Sequence, residues 1–143
     1  MSKLKLYVGC SLTHAPQAYR DLVDSMKQDL EQQFEVLGFL GLTQGSPVDV
    51  YRWDIEGCVA SADLFVAMCD YPSTGLGLEI GAALWRYDVP TLGLASVESK
   101  VTRIILGVGE EADQELFTFQ RYNDHRHAVE LVLRFADSRT QST

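Results

Sequence analysis

The stretch Asp63-Leu-Phe-Val-Ala-Met-Cys-Asp-Tyr-Pro-Ser-Thr-Gly-Leu-Gly-Leu-Glu-Ile-Gly-Ala-Ala-Leu-Trp-Arg86 decides the fold. Leu64 to Cys69 is a continuous apolar run, the pattern of a strand buried on both faces. Turn formers follow at Pro72, Ser73, Thr74 and Gly75, with Ser73 or Thr74 placed to cap a helix. The helix after them is almost wholly apolar or small and carries one charge near its start, Glu79. Such a strand and helix form one unit of an open α/β sheet, whose ligands bind beyond the carboxyl ends of the strands. Glu79 stands at that end.

Working outward, Lys3 to Gly9 reads as a first strand closed by the small residues Gly9, Cys10 and Ser11, which allow close approach to the backbone. After Thr13-His14-Ala15-Pro16, a helix places Tyr19, Leu22, Val23, Met26 and Leu30 on one face. Phe34 to Leu40 is a second strand. Gly41 to Asp49 is a loop, and a helix from about Val50 to Ala62 turns Tyr51, Ile55, Val59 and Ala62 inward with Asp54 beside them. On the other side, Pro90 to Ala95 and Leu116 to Arg121 read as strands four and five. Between them Val101 to Leu106 is a short helix ended by Gly107 and Gly109. A last helix runs from about Asp124 to Phe135, and the polar tail Asp137 to Thr143 is predicted to fray.

Strands alternating with helices imply parallel pairing through right-handed crossovers. The predicted fold is a single doubly wound α/β domain over residues 1–143, flavodoxin-like, with five strands in the order 2-1-3-4-5. Its loops after strands one and three flank the switch point, bringing Tyr7 to His14 beside Tyr71 to Glu79.

Composition narrows the function classes. The chain has 143 residues, enough for one core, and Lys+Arg 12 against Asp+Glu 20 leaves a net charge of −8. No basic stripe exists for a phosphate polymer, so no nucleic-acid partner is expected. No apolar run is long enough to cross a bilayer and the N-terminus enters a strand at once, which predicts no membrane association and a cytoplasmic location. The three cysteines, Cys10, Cys58 and Cys69, are scattered in apolar settings and read as reduced thiols.

The chemistry-bearing residues are few. Gly75, Gly77 and Gly81 form GxGxxxG after the third strand, whereas dinucleotide binding needs GxGxxG after the first; GxxxxGK[ST] is also absent. Close packing of the helix on the sheet explains Gly81 better than it explains Gly75 or Gly77. The helix dipole favours an acid in a first turn, but the neighbours of Glu79 are apolar on every side. A carboxylate held ionised by helix amides there is poised as a nucleophile or as the stabiliser of a cation. Asp54 reads equally as a surface acid or a working one, and Asp70 as a turn residue. His14 follows the first strand on the ligand side, where a solvated loop histidine is also ordinary. His125-x-His127 lacks a third ligand, so neither a metal nor another cofactor is expected. No GxSxG elbow or cysteine–histidine pair is present.

The segment Tyr71-Pro-Ser-Thr-Gly-Leu-Gly-Leu-Glu-Ile-Gly-Ala-Ala, preceded by Ala62-Asp63-Leu-Phe-Val-Ala, resembles the nucleoside 2-deoxyribosyltransferase family. It looks closest to the branch of 2'-deoxynucleoside 5'-monophosphate N-glycosidases, and the resemblance runs from Leu6 to about Gly107. It implies that Glu79 attacks the anomeric carbon and forms a glycosyl-enzyme ester, resolved by water or by a second base. Tyr7 corresponds to the tyrosine that places sugar and nucleophile, and Asp54 to the aspartate that assists departure of the base. The stretch from Asp54 to Asp63 is one residue longer than in that family.

The resemblance also implies a phosphate site. Ser73 stands where nucleoside-specific transferases carry aspartate, and with Gly75, Gly77 and the helix amides it would hold a 5'-phosphate. Ser11 matches a phosphate-contacting serine. Thr102 falls where relatives place a serine that reaches the neighbouring subunit's site, implying a homodimer. Thr13 replaces the family's phosphate-binding arginine, leaving His14 or Arg103 as substitutes. The expected partner is a small-molecule nucleotide or nucleoside. The competing readings are base transfer between nucleosides and a nucleotide-sensing module without turnover. A phosphoribohydrolase ranks last, since its PGGxGTxxE motif is absent.

Overall fold

The computed structural model describes residues 2–140. The strands are β1 (Leu4–Cys10), β2 (Phe34–Leu37), β3 (Leu64–Met68), β4 (Thr91–Ser96) and β5 (Phe117–Tyr122). The helices are α1 (Gln17–Leu30), α2 (Pro47–Tyr51), α3 (Thr74–Trp85), α4 (Arg103–Glu111) and α5 (His125–Thr140), and a π-helical stretch, Arg52–Val59, continues α2. The five strands form one sheet in the order β2-β1-β3-β4-β5, every pair parallel, as predicted.

Side-chain alternation divides the core in two. Leu6, Val8, Leu64, Val66, Met68, Leu92 and Leu94 face α1 and α5, where Val23, Met26, Leu131 and Val132 meet them. Tyr7, Phe65, Ala67 and Phe117 point the other way, against the π-helical stretch, α3 and α4. Every residue of β3 is buried, because helices cover both of its faces.

Four boundaries differ from those read in the sequence. β2 stops at Leu37 because the next residues are tied to the helical layer instead of to β1: Trp53 Nε1 donates to the Gly38 carbonyl at 2.7 Å, and Leu40 N–H donates to Asp54 Oδ1 at 2.9 Å. α2 starts at Pro47, three residues early, under a capping box between Ser46 and Asp49. Gly107 and Gly109 lie inside α4 rather than ending it. A Cβ on Gly109 would stand 3.1 Å from Phe119 Cβ, so this glycine lets α4 settle on β5. α5 continues through Thr140, so residues 137–140 are helical where fraying was predicted; 141–143 lie outside the described residues.

Asp70 is a brace rather than an open turn residue. Its buried carboxylate accepts from Tyr19 Oη at 2.8 Å, Tyr122 Oη at 3.0 Å, Ser96 N–H at 2.7 Å and Ser99 Oγ at 2.6 Å. One carboxylate thereby joins α1, β3, β4 and β5. Replacing it with alanine leaves four donors without an acceptor, and Asp70→Ala is expected to lower stability by about 3 kcal/mol. Urea denaturation checks this; a loss below about 1 kcal/mol contradicts it.

Candidate active site

The site forms where the C-terminal ends of β1 and β3 meet α3 and the π-helical stretch. Ser73 caps α3: its Oγ accepts from Leu76 N–H at 3.1 Å. That cap fixes the start of the helix, and Glu79, in the second turn, is carried inward over β1. Glu79 is only 8% exposed. Glycine at position 9 makes room for it, since a Cβ there would lie 3.2 Å from Glu79 Oε1 and 3.1 Å from Leu76 Cδ1. The close approach permitted by the small residues at the end of β1 is therefore an approach by α3.

Tyr7 holds the carboxylate. Its buried ring stacks on Phe65 at a centroid distance of 5.3 Å, and its hydroxyl donates to Glu79 Oε2. Burial, followed by the neighbouring Glu79 charge, pushes the phenol far above its ordinary range, so it remains a donor at every pH of interest. Burial also pushes the Glu79 carboxyl up, to about 7; the Tyr7 hydrogen bond and Lys27 act against burial, and Asp54 adds to it. The sequence reading had helix amides keep Glu79 ionised. One turn inside α3 those amides are bonded along the helix, and the tyrosine hydroxyl takes their place.

Asp54 faces the same space from the π-helical stretch. It is partly buried, which pushes its carboxyl up, while the Leu40 N–H favours the charged form. A π turn holds one residue more than an α turn. Asp54, in the first of these wider turns, lines the cavity. The same widening changes the inward stripe: Ile55, Cys58 and Val59 are buried, whereas Tyr51, predicted inward, is 46% exposed.

Tyr7, Asp54, Glu79, Ser73 and Gly75 line one cavity of about 400 Å³. Its outer walls are apolar, with Phe39, Leu42, Val50 and Leu78 among them. A polar floor under apolar walls suits a flat ring bound above a reactive carboxylate. A second cavity of about 160 Å³, on the far side of Ser73, is lined by Gly77, Thr102 and Lys100. Lys100 was not singled out in the sequence, since an exposed lysine before a helix carries no motif.

Other sequence-predicted residues are not brought to the floor. Ser11 is buried and donates to the Pro72 carbonyl at 3.2 Å, tying the first loop to the third. His14 and Arg103 are exposed and line neither cavity, while Thr13 lines the larger one. Thr102 is the N-cap residue of α4, with no side-chain capping bond. Gly81 faces the Trp85 ring, 3.5 Å from an added Cβ, rather than the sheet. His125 Nε2 lies 2.9 Å from Asp29 Oδ2, and His127 Nδ1 accepts from Asn123 N–H at 3.0 Å, so the two imidazoles serve separate local contacts. Cys10, Cys58 and Cys69 are free, and burial pushes their thiols up to about 11, 11 and 12, which leaves them neutral at pH 7.

A carboxylate at the switch point of a five-stranded doubly wound sheet defines the structural class. Within it, the chain is similar to the solved structure of the CMP N-glycosidase BcmB from Clostridium botulinum. The TM-score is 0.66 at 18% identity, over 90% of this chain and 97% of that one. It is also similar to a conserved protein from Enterococcus faecalis V583, with a TM-score of 0.55 at 16% identity over 93% of this chain and 99% of that one. No family model and no curated protein matches the sequence. The likeness is one of fold. No helix among the described residues is long and apolar enough to cross a membrane.

The raised Glu79 carboxyl has a stability consequence. Below pH 4.5 it is protonated in folded and unfolded chains alike; between 4.5 and about 7 only the folded chain keeps the proton, so stability falls as pH rises. Above that window the ionised, buried group opposes folding by about 3 kcal/mol. Glu79→Gln is therefore expected to be more stable than the native chain above pH 7 and to lose that advantage toward pH 4.5. Thermal unfolding across the window measures it, and a gap that does not vary with pH contradicts it.

Proposed function

We propose that the protein is an N-glycosidase that cleaves a (deoxy)nucleoside 5'-monophosphate or a related nucleoside, with Glu79 as the nucleophile. The observation that carries the proposal is the Glu79 carboxylate, buried against the Tyr7 hydroxyl at the floor of a cavity with apolar walls. Tyr7 engages Oε2 and leaves Oε1 free to attack the anomeric carbon. As the new C–O bond forms, the C–N bond breaks and its electron pair leaves with the base. Asp54, partly desolvated beside the cavity, delivers the proton that the departing base needs. Water then attacks the glycosyl ester, Asp54 takes the water's proton, and the Glu79 carboxylate is regenerated with the free sugar. The similarity in fold to a CMP N-glycosidase agrees with this chemistry.

A 5'-phosphate has a place beside Ser73. The first amides of α3 and the Ser73 hydroxyl suit an anion. A Cβ on Gly75 would meet only the Ser73 hydroxyl oxygen, at 3.9 Å, and one on Gly77 would meet nothing within 4 Å. Lys100, across the smaller cavity, offers a positive charge where neither His14 nor Arg103 reaches. In a homodimer, exposed Trp85, Leu78 and Ile104 would lie against a second copy and bring Thr102 toward the neighbouring site. Such a substrate and three free thiols suit the cytoplasm.

Chromatography of a panel of nucleosides and their monophosphates tests the reaction. Free base and sugar are expected from at least one compound, and Glu79→Gln is expected to abolish release; release at the native rate in that variant overturns the role of Glu79. Adding a free acceptor base separates hydrolysis, which gives no new nucleoside, from transfer, which does. Ser73→Asp sets a negative charge against the phosphate and is expected to depress turnover of monophosphates far more than that of nucleosides. Equal loss on both contradicts a phosphate at Ser73.

A further inference from the structure

Lys27 stands in the last turn of α1. Its Nζ stands 3.9 Å from the centre of the Phe39 ring, and Phe39 is a wall of the larger cavity. The residue is half-buried, and the aliphatic stem accounts for part of that. Among the described residues, no carboxylate oxygen lies within 4.0 Å of this ammonium. A partly desolvated cation therefore rests on an aromatic face with no ion-pair partner.

The ionisable groups that surround it come from each neighbouring element: Cys10 on β1, Asp24 on α1, Cys58 on the π-helical stretch and Glu79 on α3. Burial lowers the proton affinity of Lys27, and of these groups the carboxylates Asp24 and Glu79 act against that loss when ionised. The coupling is mutual, since Lys27 also favours the charged form of Glu79 while Asp54 opposes it. Cys10, Phe39 and Glu79 line one cavity, and the ammonium rests against the ring of one of its walls. The arrangement has a chemical logic. A cation bonded directly to Glu79 would occupy the attacking oxygen and weaken it as a nucleophile. A cation held on the Phe39 ring acts at a distance and leaves that oxygen free.

We propose that Lys27 is a positioning residue of this site: its ammonium, set against the Phe39 ring, fixes a wall of the cavity that Glu79 shares and brings a positive charge to bear on that carboxylate. The inference takes from the proposed function only that Glu79 is the working carboxylate.

The test reads Glu79 directly and does not need turnover. The carboxyl carbon of Glu79 is followed by NMR in glutamate-labelled protein across the pH range, its signal assigned by its loss in Glu79→Gln. Lys27→Met removes the charge at similar length and is expected to move the Glu79 titration midpoint upward, while Lys27→Arg is expected to keep it at the native value. An unchanged midpoint in Lys27→Met, or an equal movement in both variants, overturns the inference. Lys27→Gln gives the same comparison if Lys27→Met does not fold. If no compound in the substrate panel releases base, the proposed function fails, while the titration still decides the role of Lys27. Where turnover is present, the acid limb of kcat/KM is expected to move with the midpoint.

Discussion

The hydrogen bond from Tyr7 to Glu79 is the constraint around which this molecule is arranged. It spans two layers, joining the interior strand β1 to α3, and it exists only because Gly9 lets α3 close on the strand and Ser73 starts the helix at the right residue. Burying a carboxylate with one neutral donor is unfavourable, and the raised Glu79 carboxyl records that cost. A purely structural role would be served better by an apolar side chain. A buried acid whose charged form is only just accessible near pH 7 is a group suited to chemistry.

The second buried carboxylate shows the contrast. Asp70, at the exit of β3, is saturated by four donors from outside that strand and has no capacity left for a ligand. Glu79 has one donor and a free oxygen above a cavity. Two buried acids at one end of the sheet thus differ in role: the satisfied one braces the sheet and the unsatisfied one faces the cavity. The Tyr19 and Tyr122 hydroxyls, kept protonated by burial and by Asp70, belong to the brace.

Much of this was legible in the residues. The apolar run Leu64 to Cys69 and the alternation of strands and helices were enough for the sheet order, because parallel sheets tolerate few topologies. Glu79, Tyr7 and Ser73 were visible as polar residues at the ligand end of apolar elements. What escaped notice depends on tertiary contact. The π-helical turns leave no trace in hydrophobic periodicity, so the inward face around Tyr51 was misplaced while Asp54 was not. Gly107 and Gly109 have the look of a helix stop, yet they serve the packing of α4 on β5. Lys27 and Lys100 carry no motif; one matters through an aromatic ring twelve positions away, the other through a cavity shared with Ser73. Asp70 looked like a turn residue because its four partners are scattered along the chain.

The central claim is that Glu79 forms a bond to the sugar carbon, and mass spectrometry of the quenched reaction tests it most directly. A substrate analogue fluorinated at the 2-position slows the hydrolysis of a glycosyl ester and lets it accumulate. The account predicts that peptide mapping after acid quench finds the fluorosugar, without its base, on the peptide that contains Glu79. Base release in stoichiometric excess with no adduct, or an adduct carried by another residue, would contradict it.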